Sequence, residues 1–331
     1  MHRSMIVVSL ILGLLTALLP HIIYLLVWIA GKAFSFSVCY GPFGWTAVVL
    51  VLLLWATLAY GHFWGRFHLE VNNVEYCSTD VPTEFDGFRI VHISDIHAGT
   101  FNDHPEALQR IVDTINQQDA DLICFTGDMA TFGIDEVLRN TETLRQITAR
   151  EGVVSVLGNH DFFIYSLHNN RDRLAAAQTL TDIEQERLGW HVLRNTNITI
   201  RRHDASIAIA GVDNIQGKGQ GFPTIQKGDL TKATEGIDSL FTILLTHDPS
   251  HWRAEVLPNS SAQITLSGHT HAAQVRLFGW SLANLMFREC DGRYDENGRM
   301  LYVNAGLGCT APFRIGCPSE ITVITLRHKA Q

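Results

Sequence analysis

The sequence predicts an α/β domain in which helices flank two packed β-sheets, preceded by two helices that cross a membrane. Two observations lead to this prediction. The first 65 of the 331 residues are almost free of charge, whereas the rest alternates short β-branched runs with amphipathic helices before turning β-rich. Such an order is typical of helices that cover two sheets around one core.

The amino-terminal region contains two apolar segments long enough to cross a bilayer. Lys32 is the only charged residue between Ser4 and Gly65. The stretch on each side of it exceeds the roughly 20 apolar residues that a spanning helix needs. We therefore predict membrane spans near residues 5–30 and 43–61.

This pair of spans defines a boundary: residues 1–65 are predicted to form a transmembrane hairpin anchor, and residues 66–331 a separate domain. A cleavable signal peptide is the alternative for the first span, because Arg3 precedes it. Positive charge is sparse, with Arg3 before the first span and Arg66 after the second, and this distribution favours both termini in the cytoplasm.

Charge and cysteine content exclude some functions. The net charge of −8 comes without a basic block, which argues against nucleic acid as a partner. The six cysteines contain no CxxC pair, so a structural zinc site is not indicated. Cys309 and Cys317 are close enough for a disulfide, with free thiols as the equal alternative.

The periodicity after residue 66 predicts alternating strands and helices. Leu108, Ile111, Val112 and Ile115 follow the i, i+3, i+4, i+7 spacing of one apolar helix face. The stretch 216–234, with its glycines and Pro223, is predicted to be an irregular loop. Helices are predicted at 105–117, 134–148 and 171–188, and strands at 88–94, 121–126, 153–157, 198–201, 206–212, 241–246, 263–267, 301–304 and 321–326.

Five short polar motifs each follow a predicted strand. Loops at strand carboxyl ends converge on one crevice in open α/β sheets. The donors are carboxylate and amide oxygens and imidazole nitrogens without thiolates, which suits Mn²⁺, Fe or Zn²⁺. The motifs are Ser94-Asp95-Ile96-His97, Gly127-Asp128, Gly158-Asn159-His160-Asp161, His247-Asp248-Pro249 and Gly268-His269-Thr270-His271.

Two polar residues near these motifs have simpler interpretations. His92, on the strand before Asp95, is expected to be a packed or exposed strand residue. Asp248 with Pro249 could simply start a turn, which would leave His247 as the chemical residue of that motif.

The motifs in this order, over about residues 85–326, resemble the calcineurin-like metallophosphoesterase family. They are most similar to the bacterial membrane-anchored branch, whose activities include phosphodiester and lipid-linked pyrophosphate cleavage. The resemblance implies a four-layer αββα sandwich behind the transmembrane helices. It also implies an integral protein of the bacterial cytoplasmic membrane, and the charge distribution around the two spans predicts a cytoplasmic catalytic domain.

The resemblance implies a role for each motif residue. His160 would protonate the leaving oxygen, and Asp161 would hold the other nitrogen of that imidazole. The expected cofactors are two divalent metal ions, with Mn²⁺ first and Fe or Zn²⁺ as alternatives. Seven residues would be metal ligands: Asp95, His97 and His271 for the first ion, Asp128 as the bridge, and Asn159, His247 and His269 for the second.

The chain departs from the family pattern at two places. Thr131 stands where many relatives have an aspartate, and Ala272-Ala273 stand where this branch more often has glycines. Neither change removes a metal ligand.

Three functions remain open from the sequence. The first is a phosphoesterase that cleaves a phosphodiester or pyrophosphate bond of a phosphorylated, lipid-linked small molecule, for example a sugar-nucleotide lipid precursor, at the lipid bilayer. The second is a broad-specificity phosphodiesterase or a protein phosphatase. The third is a non-catalytic metal-binding scaffold, against which the intact ligand set and His160 argue.

Two apolar segments lie close to the motifs in sequence, one at Phe162-Phe163-Ile164-Tyr165 and one from Leu277 to Phe287. They either cover the core of the domain itself or form an apolar rim that contacts lipid.

Two spans return the chain to the side on which it began, so the anchor predicts a cytoplasmic carboxyl terminus. A reporter fused after Gln331 that fluoresces only in the cytoplasm should be bright. Labelling of Cys77 by an impermeant thiol reagent added outside intact cells would contradict this topology.

Overall fold

The computed structural model describes residues 2–217 and 225–330. Two compact units are present. The first contains the chain up to Arg66 together with Ala311–Ile315, and the second contains Phe67–Thr310 and the chain from Gly316 onward.

The first unit is built on two long helices, α1 (His2–Phe34) and α2 (Gly41–Phe63). The segments Val7–Phe34 and Gly41–Phe67 are long and apolar enough to cross a membrane, and only 11% and 6% of their most apolar windows are buried. Core helices of soluble proteins are mostly buried, so these helices suggest membrane anchoring. They contain the two predicted spans and extend a few residues beyond each.

A short segment from the far end of the sequence belongs to this first unit. The backbone N–H of Arg314 donates to the Gly61 carbonyl at 3.1 Å. His62 Nδ1 lies 2.7 Å from the Pro312 carbonyl oxygen. Gly61 also has to be small, because a Cβ there would lie 3.0 Å from the Arg314 carbonyl oxygen. Local sequence alone would assign Ala311–Ile315 to the second domain.

The second unit contains two large sheets and a small hairpin. Its strands in the described residues are β1 (Leu69–Ser78), β2 (Arg89–Ile93), β3 (Leu122–Phe125), β4 (Val153–Ser155), β5 (His191–Val192), β6 (Thr196–Arg202), β7 (Ala205–Gly211), β8 (Phe241–Leu245), β9 (Ile264–Ser267), β10 (Arg276–Leu277), β11 (Trp280–Ser281), β12 (Gly292–Glu296), β13 (Arg299–Val303) and β14 (Ser319–His328). The sheet orders are β1-β14-β2-β3-β4-β5 and β12-β13-β9-β8-β7-β6, and β10 pairs with β11.

Helices cover the outer faces of both sheets. The described helices of this unit are α3 (Pro105–Asn116), α4 (Ile134–Leu144), α5 (Asn170–Ile183), α6 (Leu230–Ala233) and α7 (Leu257–Asn259). The two-residue strand period explains the layers: Ile90 of β2 packs between the sheets, whereas Val91 and Ile93 pack with the helices α3, α4 and α5. Trp252 packs in the core on the outer side of the second sheet. The predicted four-layer αββα sandwich is confirmed.

Some element boundaries differ from the sequence prediction. Helix α4 ends at Leu144 rather than 148, and α5 ends at Ile183, after which Glu184–Leu188 forms a wider helical turn. Strand β1 was not predicted. Its run Leu69–Ser78 is rich in exposed polar residues, and ten-residue parallel pairing with β14 makes it a strand. Residues 218–224 of the predicted loop lie outside the described residues, and its later part ends in α6.

The topology brings the five motif strands to a common crevice. Strands β2, β3 and β4 run parallel within the first sheet, and β8 and β9 run parallel within the second. The carboxyl ends of each set therefore lie at one edge of their sheet, where the polar loops follow.

Candidate metal centre

The first group of converging donors comes from the ends of β2 and β9. His271 Nε2 lies 3.1 Å from Asp95 Oδ1 and 3.0 Å from His97 Nε2. His97 Nε2 lies 3.8 Å from the same Asp95 oxygen. Each side chain thus points one donor atom at a common small space.

The second group is centred on His247 at the end of β8. Its Nε2 atom lies 3.1 Å from Asp128 Oδ2, 3.1 Å from Asn159 Oδ1 and 3.2 Å from His269 Nδ1. The far nitrogen of His247 contacts the Thr126 carbonyl oxygen at 2.7 Å, which orients the ring toward the group.

Asp128 joins the two groups. Its Oδ2 atom lies 3.1 Å from His247 Nε2 and 3.7 Å from His97 Nε2, so one oxygen faces donors of both groups. Its Oδ1 atom accepts the His160 backbone N–H at 2.9 Å, which holds the carboxylate in this orientation.

The donor set fits two divalent cations. Asp95, His97 and His247 are fully buried, yet Asp95 Oδ1 has no hydrogen-bond partner. Nitrogen and oxygen ligands lie about 2.0–2.2 Å from a transition-metal ion, so adjacent ligands of one ion lie about 3 Å apart. The spacings of 3.0–3.2 Å around His271 and His247 match that geometry. A cation in each group would satisfy Asp95 Oδ1 and separate the facing imidazoles.

Neighbouring imidazoles keep the buried carboxylates of this site ionised. Burial alone would raise the pKa values of Asp95 and Asp128, but His271 beside the first and His247 beside the second hold both pKa values well below their usual range. Burial would lower the pKa of His247, but the Asp128 carboxylate outweighs it and raises that pKa to about 10. A cation that binds here would displace the His247 proton, because metal ligands must be deprotonated.

The loops that carry these donors have unusual backbone conformations. Left-handed φ angles are costly for residues other than glycine, and they persist only where surrounding contacts impose them. Here the backbone N–H groups of Asp95 and His97 donate to the carbonyls of Gly127 and Asp128 at 2.9 and 3.0 Å. The donor residues with positive φ are Asp95 (50°), His97 (41°), Asp128 (61°), His269 (73°) and His271 (48°).

Ala272 and Ala273 also adopt left-handed conformations, with φ of 48° and 51°. These are the positions where glycine is expected from the family pattern. The chain therefore keeps the loop conformation with alanine, at roughly 1–2 kcal/mol for each residue.

The predicted contact between Asp161 and His160 is wrong. The Asp161 carboxylate accepts backbone N–H groups of Asp128, Met129 and Gly158 at 2.7–2.8 Å. His160 Nδ1 instead lies 2.8 Å from the Thr131 carbonyl oxygen. The Asp161 side chain points toward the loops after β3 and β4 because backbone N–H groups of both loops converge on its carboxylate. Asp161 therefore ties the loop after β3 to the loop after β4 and does not orient the imidazole.

A hydrogen-bonded chain behind Asp95 was not anticipated. Ser94 Oγ donates to Asp95 Oδ2 at 2.5 Å and accepts from Thr126 Oγ1 at 2.8 Å, and His92 Nε2 lies 2.9 Å from that threonine oxygen. His92 is fully buried, and burial lowers its pKa to about 3, so the imidazole is neutral. This hydrogen-bonded chain occupies Oδ2 of Asp95 and leaves Oδ1 available to a cation.

Asp248 also has a role beyond starting a turn. Its Oδ2 atom lies 3.4 Å from His269 Nε2, while its Oδ1 accepts the N–H and the hydroxyl of Ser250 at 2.9 and 2.6 Å. A carboxylate at the far nitrogen of a ligating histidine fixes the ring so that the near nitrogen faces the metal. The only sequence signal was an acid directly after His247.

Gly268 has to be a glycine for Asp95 to keep its position. A Cβ there would lie 1.8 Å from Ser94 Oγ and 2.2 Å from Asp95 Oδ2. Gly268→Ala should therefore displace Asp95 and reduce bound metal, as measured by elemental analysis of the purified protein. Gly133→Ala is the matched control, because nothing lies within 4 Å of its Cβ. Equal metal content in the two variants would contradict the prediction.

Comparison of the sequence with known proteins identifies the family. Residues 88–273 match the family model described as calcineurin-like phosphoesterase. The chain is 32% identical over 265 residues to the metallophosphoesterase YkuE of Bacillus subtilis, covering 76% of this chain and 82% of that protein. It is 30% identical over 288 residues to a transmembrane protein with metallophosphoesterase domain from Danio rerio, covering 85% of this chain and 62% of that protein.

A third relative has a named activity. The chain is 27% identical over 304 residues to the UDP-2,3-diacylglucosamine pyrophosphatase LpxG of Chlamydia trachomatis, covering 78% of this chain and 90% of that protein. The family match covers more than half of the sequence and includes all five motifs. The chain therefore belongs to the calcineurin-like phosphoesterase family and is a metal-dependent phosphoester hydrolase.

Proposed function

We propose that this protein uses two divalent cations to hydrolyse a phosphodiester or pyrophosphate bond of a lipid-linked substrate. The observation that carries the proposal is the pair of donor groups that share Asp128. The proposed ligands are Asp95, His97 and His271 for one cation, Asp128 for both, and Asn159, His247 and His269 for the other.

The donors favour Mn²⁺, with Fe or Zn²⁺ as alternatives, because they are imidazoles and oxygens without thiolates. When bound, two such cations polarise the phosphoryl oxygens and offset the charge that develops during cleavage. The buried side chains that surround the site keep bulk water away, and the low local dielectric strengthens each of these interactions.

His160 is proposed to be the general acid. Its Nδ1 donates to the Thr131 carbonyl, so Nε2 is the ring nitrogen that can give a proton to the leaving oxygen. One ring nitrogen of His160 lies within 4.8 Å of donor atoms of His97 and Asp128. The Tyr165 ring, with its centroid 4.6 Å from that of His160, packs against the imidazole and limits its movement.

Two observations support a lipid-linked substrate at a membrane. The relative from Chlamydia trachomatis is named for a pyrophosphatase activity on UDP-2,3-diacylglucosamine, a sugar nucleotide that carries acyl groups. The chain itself has two exposed apolar helices of spanning length. We propose that residues 1–65 form a transmembrane hairpin that anchors the protein in a bacterial cytoplasmic membrane. The catalytic domain then lies on the cytoplasmic side.

The substrate class can be tested directly. The purified, manganese-loaded full-length protein would be incubated with a total membrane lipid extract, and the consumed lipids identified by mass spectrometry. Loss of a phosphodiester or pyrophosphate lipid supports the proposal. Rapid turnover of a soluble aryl phosphodiester with no lipid consumed would favour a broad-specificity phosphodiesterase instead.

Asp128→Ala should abolish turnover and lower the metal content below one ion per chain, because the same carboxylate serves both cations. Elemental analysis and aryl phosphodiester hydrolysis measure the two effects. Asp135→Ala, an exposed acid at the start of α4, is the control and should retain both properties. Two tightly bound ions in Asp128→Ala would disprove the bridging role.

His160→Ala should keep both metals and slow turnover by about 10²–10⁴-fold for substrates with poor leaving groups. The loss should shrink for nitrophenyl leaving groups, because a stable leaving anion needs no proton. Rates across a series of aryl phosphodiesters measure this dependence, with the exposed His168→Ala as control. An equal loss across the series would leave His160 with an electrostatic role only.

A further inference from the structure

The hairpin of β10 and β11 and the turn after it expose an unusual amount of apolar surface. Phe278 and Gly279 form the hairpin tip in left-handed conformations, with φ of 52° and 80°. We call residues 277–286 the apolar platform. Its large apolar side chains are Leu277 (55% exposed), Phe278 (108%), Trp280 (48%), Leu282 (47%), Leu285 (74%) and Met286 (37%).

The other apolar segment near the site behaves differently. Phe162 and Phe163 are 0% and 3% exposed and belong to the core under the first sheet. The core interpretation therefore holds for these two phenylalanines. Of that segment only Tyr165 is an exposed large side chain.

The apolar platform is held in place by hydrogen bonds, so its exposure is not that of a loose loop. Ser281 Oγ donates to the Ala272 carbonyl and accepts the Ala283 N–H. The Ser281 N–H donates to Asn284 Oδ1 at 2.9 Å, which completes a capping box. On the inner side, Ala283 and Phe287 pack in a buried cluster with Cys290.

The platform is joined directly to the metal centre. Ala272, which accepts the Ser281 hydroxyl, follows His271 in the chain. Phe287, the residue that follows the platform, places its ring against that of His269, with centroids 5.5 Å apart. A ligand that covers the platform therefore lies beside the donor groups.

The charges around the platform indicate which kind of partner surface it contacts. Residues 276–288 contain two arginines and no acid, and the next acids along the chain, Glu289 and Asp291, are their ion-pair partners. Arg276 is paired with Asp291, and Arg288 Nε lies 3.5 Å from Glu289 Oε1. The Glu289 side chain is 1% exposed and that of Arg288 is 68% exposed, so the guanidinium is the charged group that faces solvent beside the platform. Exposed apolar and aromatic side chains bordered by positive charge are typical of segments that bind anionic membrane surfaces.

We propose that the apolar platform inserts into the interface of a lipid bilayer that contains anionic lipids. The occupant is the bilayer itself: the tip at Phe278 and the side chains of Trp280 and Leu285 enter the acyl boundary, and Arg288 meets anionic head groups. The catalytic value of this contact rests on the proposed function, because it brings the metal centre to a substrate whose acyl chains stay in the membrane.

The test measures the depth of one side chain in the full-length protein. Cys39 and Cys77, the exposed cysteines, are replaced by serine, and a spin label is attached at Phe278→Cys. Asp204→Cys is the matched control, because it lies at the exposed tip of the β6–β7 hairpin. Both proteins are reconstituted in vesicles of phosphatidylcholine alone or mixed equally with phosphatidylglycerol. Power saturation by oxygen and by a water-soluble nickel chelate reports depth.

The label at 278 should favour oxygen over the nickel chelate and lie about 5–10 Å below the head-group level in the anionic vesicles. It should lie less deep in phosphatidylcholine alone, and Arg288→Glu should reduce its depth. The label at 204 should stay in water throughout. Water exposure at 278 equal to that at 204 in both vesicle types overturns the proposal.

Turnover of a soluble aryl phosphodiester by the same labelled protein separates the two proposals. A water-exposed label at 278 with normal turnover overturns membrane docking and leaves the hydrolase intact. An immersed label in a protein that binds metal but cleaves neither the aryl phosphodiester nor any lipid of a total membrane extract overturns the proposed function and supports the docking surface.

Discussion

The structure depends on the placement of one buried carboxylate, Asp128, between two sets of donors. A carboxylate that is almost completely buried is costly unless positive charge faces it. Here His247 supplies that charge: its Nε2 lies 3.1 Å from Asp128 Oδ2, and the carboxylate raises the pKa of His247 to about 10. His97 Nε2 faces the same oxygen at 3.7 Å. The two sheets pack face to face, and the carboxyl ends of their central strands must therefore lie at the same side of the sandwich, because His97 comes from the first sheet and His247 from the second.

Close packing of the loops enforces this placement. A Cβ on Gly158 would lie 2.2 Å from Asp128 Oδ1, and one on Gly268 would lie 2.2 Å from Asp95 Oδ2. The backbone of one loop thus forms the wall behind the carboxylate of another. Asp161 completes the arrangement by collecting amide groups from two loops, among them the amide of Asp128, one of the five donor residues with a left-handed conformation.

The loop after β9 links the candidate metal centre to the exposed β10–β11 hairpin. The loop after β9 carries His269 and His271 and then accepts the Ser281 hydroxyl at Ala272, so the exposed hairpin and the metal centre share one segment of backbone. Apolar side chains on a rigid element beside a polar site suit a substrate that is polar at one end and apolar at the other. The two long apolar helices, which suggest membrane anchoring, are consistent with such a substrate.

The sequence by itself determined the elements and the donors. Periodicity located α3 and the central strands to within a residue or two, because these segments are amphipathic or wholly buried. The order of the motifs identified the residues whose side chains converge at the candidate metal centre. Local pattern could not predict β1, whose polar run becomes a strand only by pairing with β14.

Only the tertiary structure decided which partners those residues have. Asp161 meets backbone amides rather than His160, and Asp248 meets His269, because neighbouring parallel strands of one sheet place their following loops side by side. Similarly, Phe163 is buried while Phe278 is exposed, although both follow a metal motif in an apolar run. Burial depends on what the rest of the chain places over a residue, and that information lies in long-range packing and not in the local sequence.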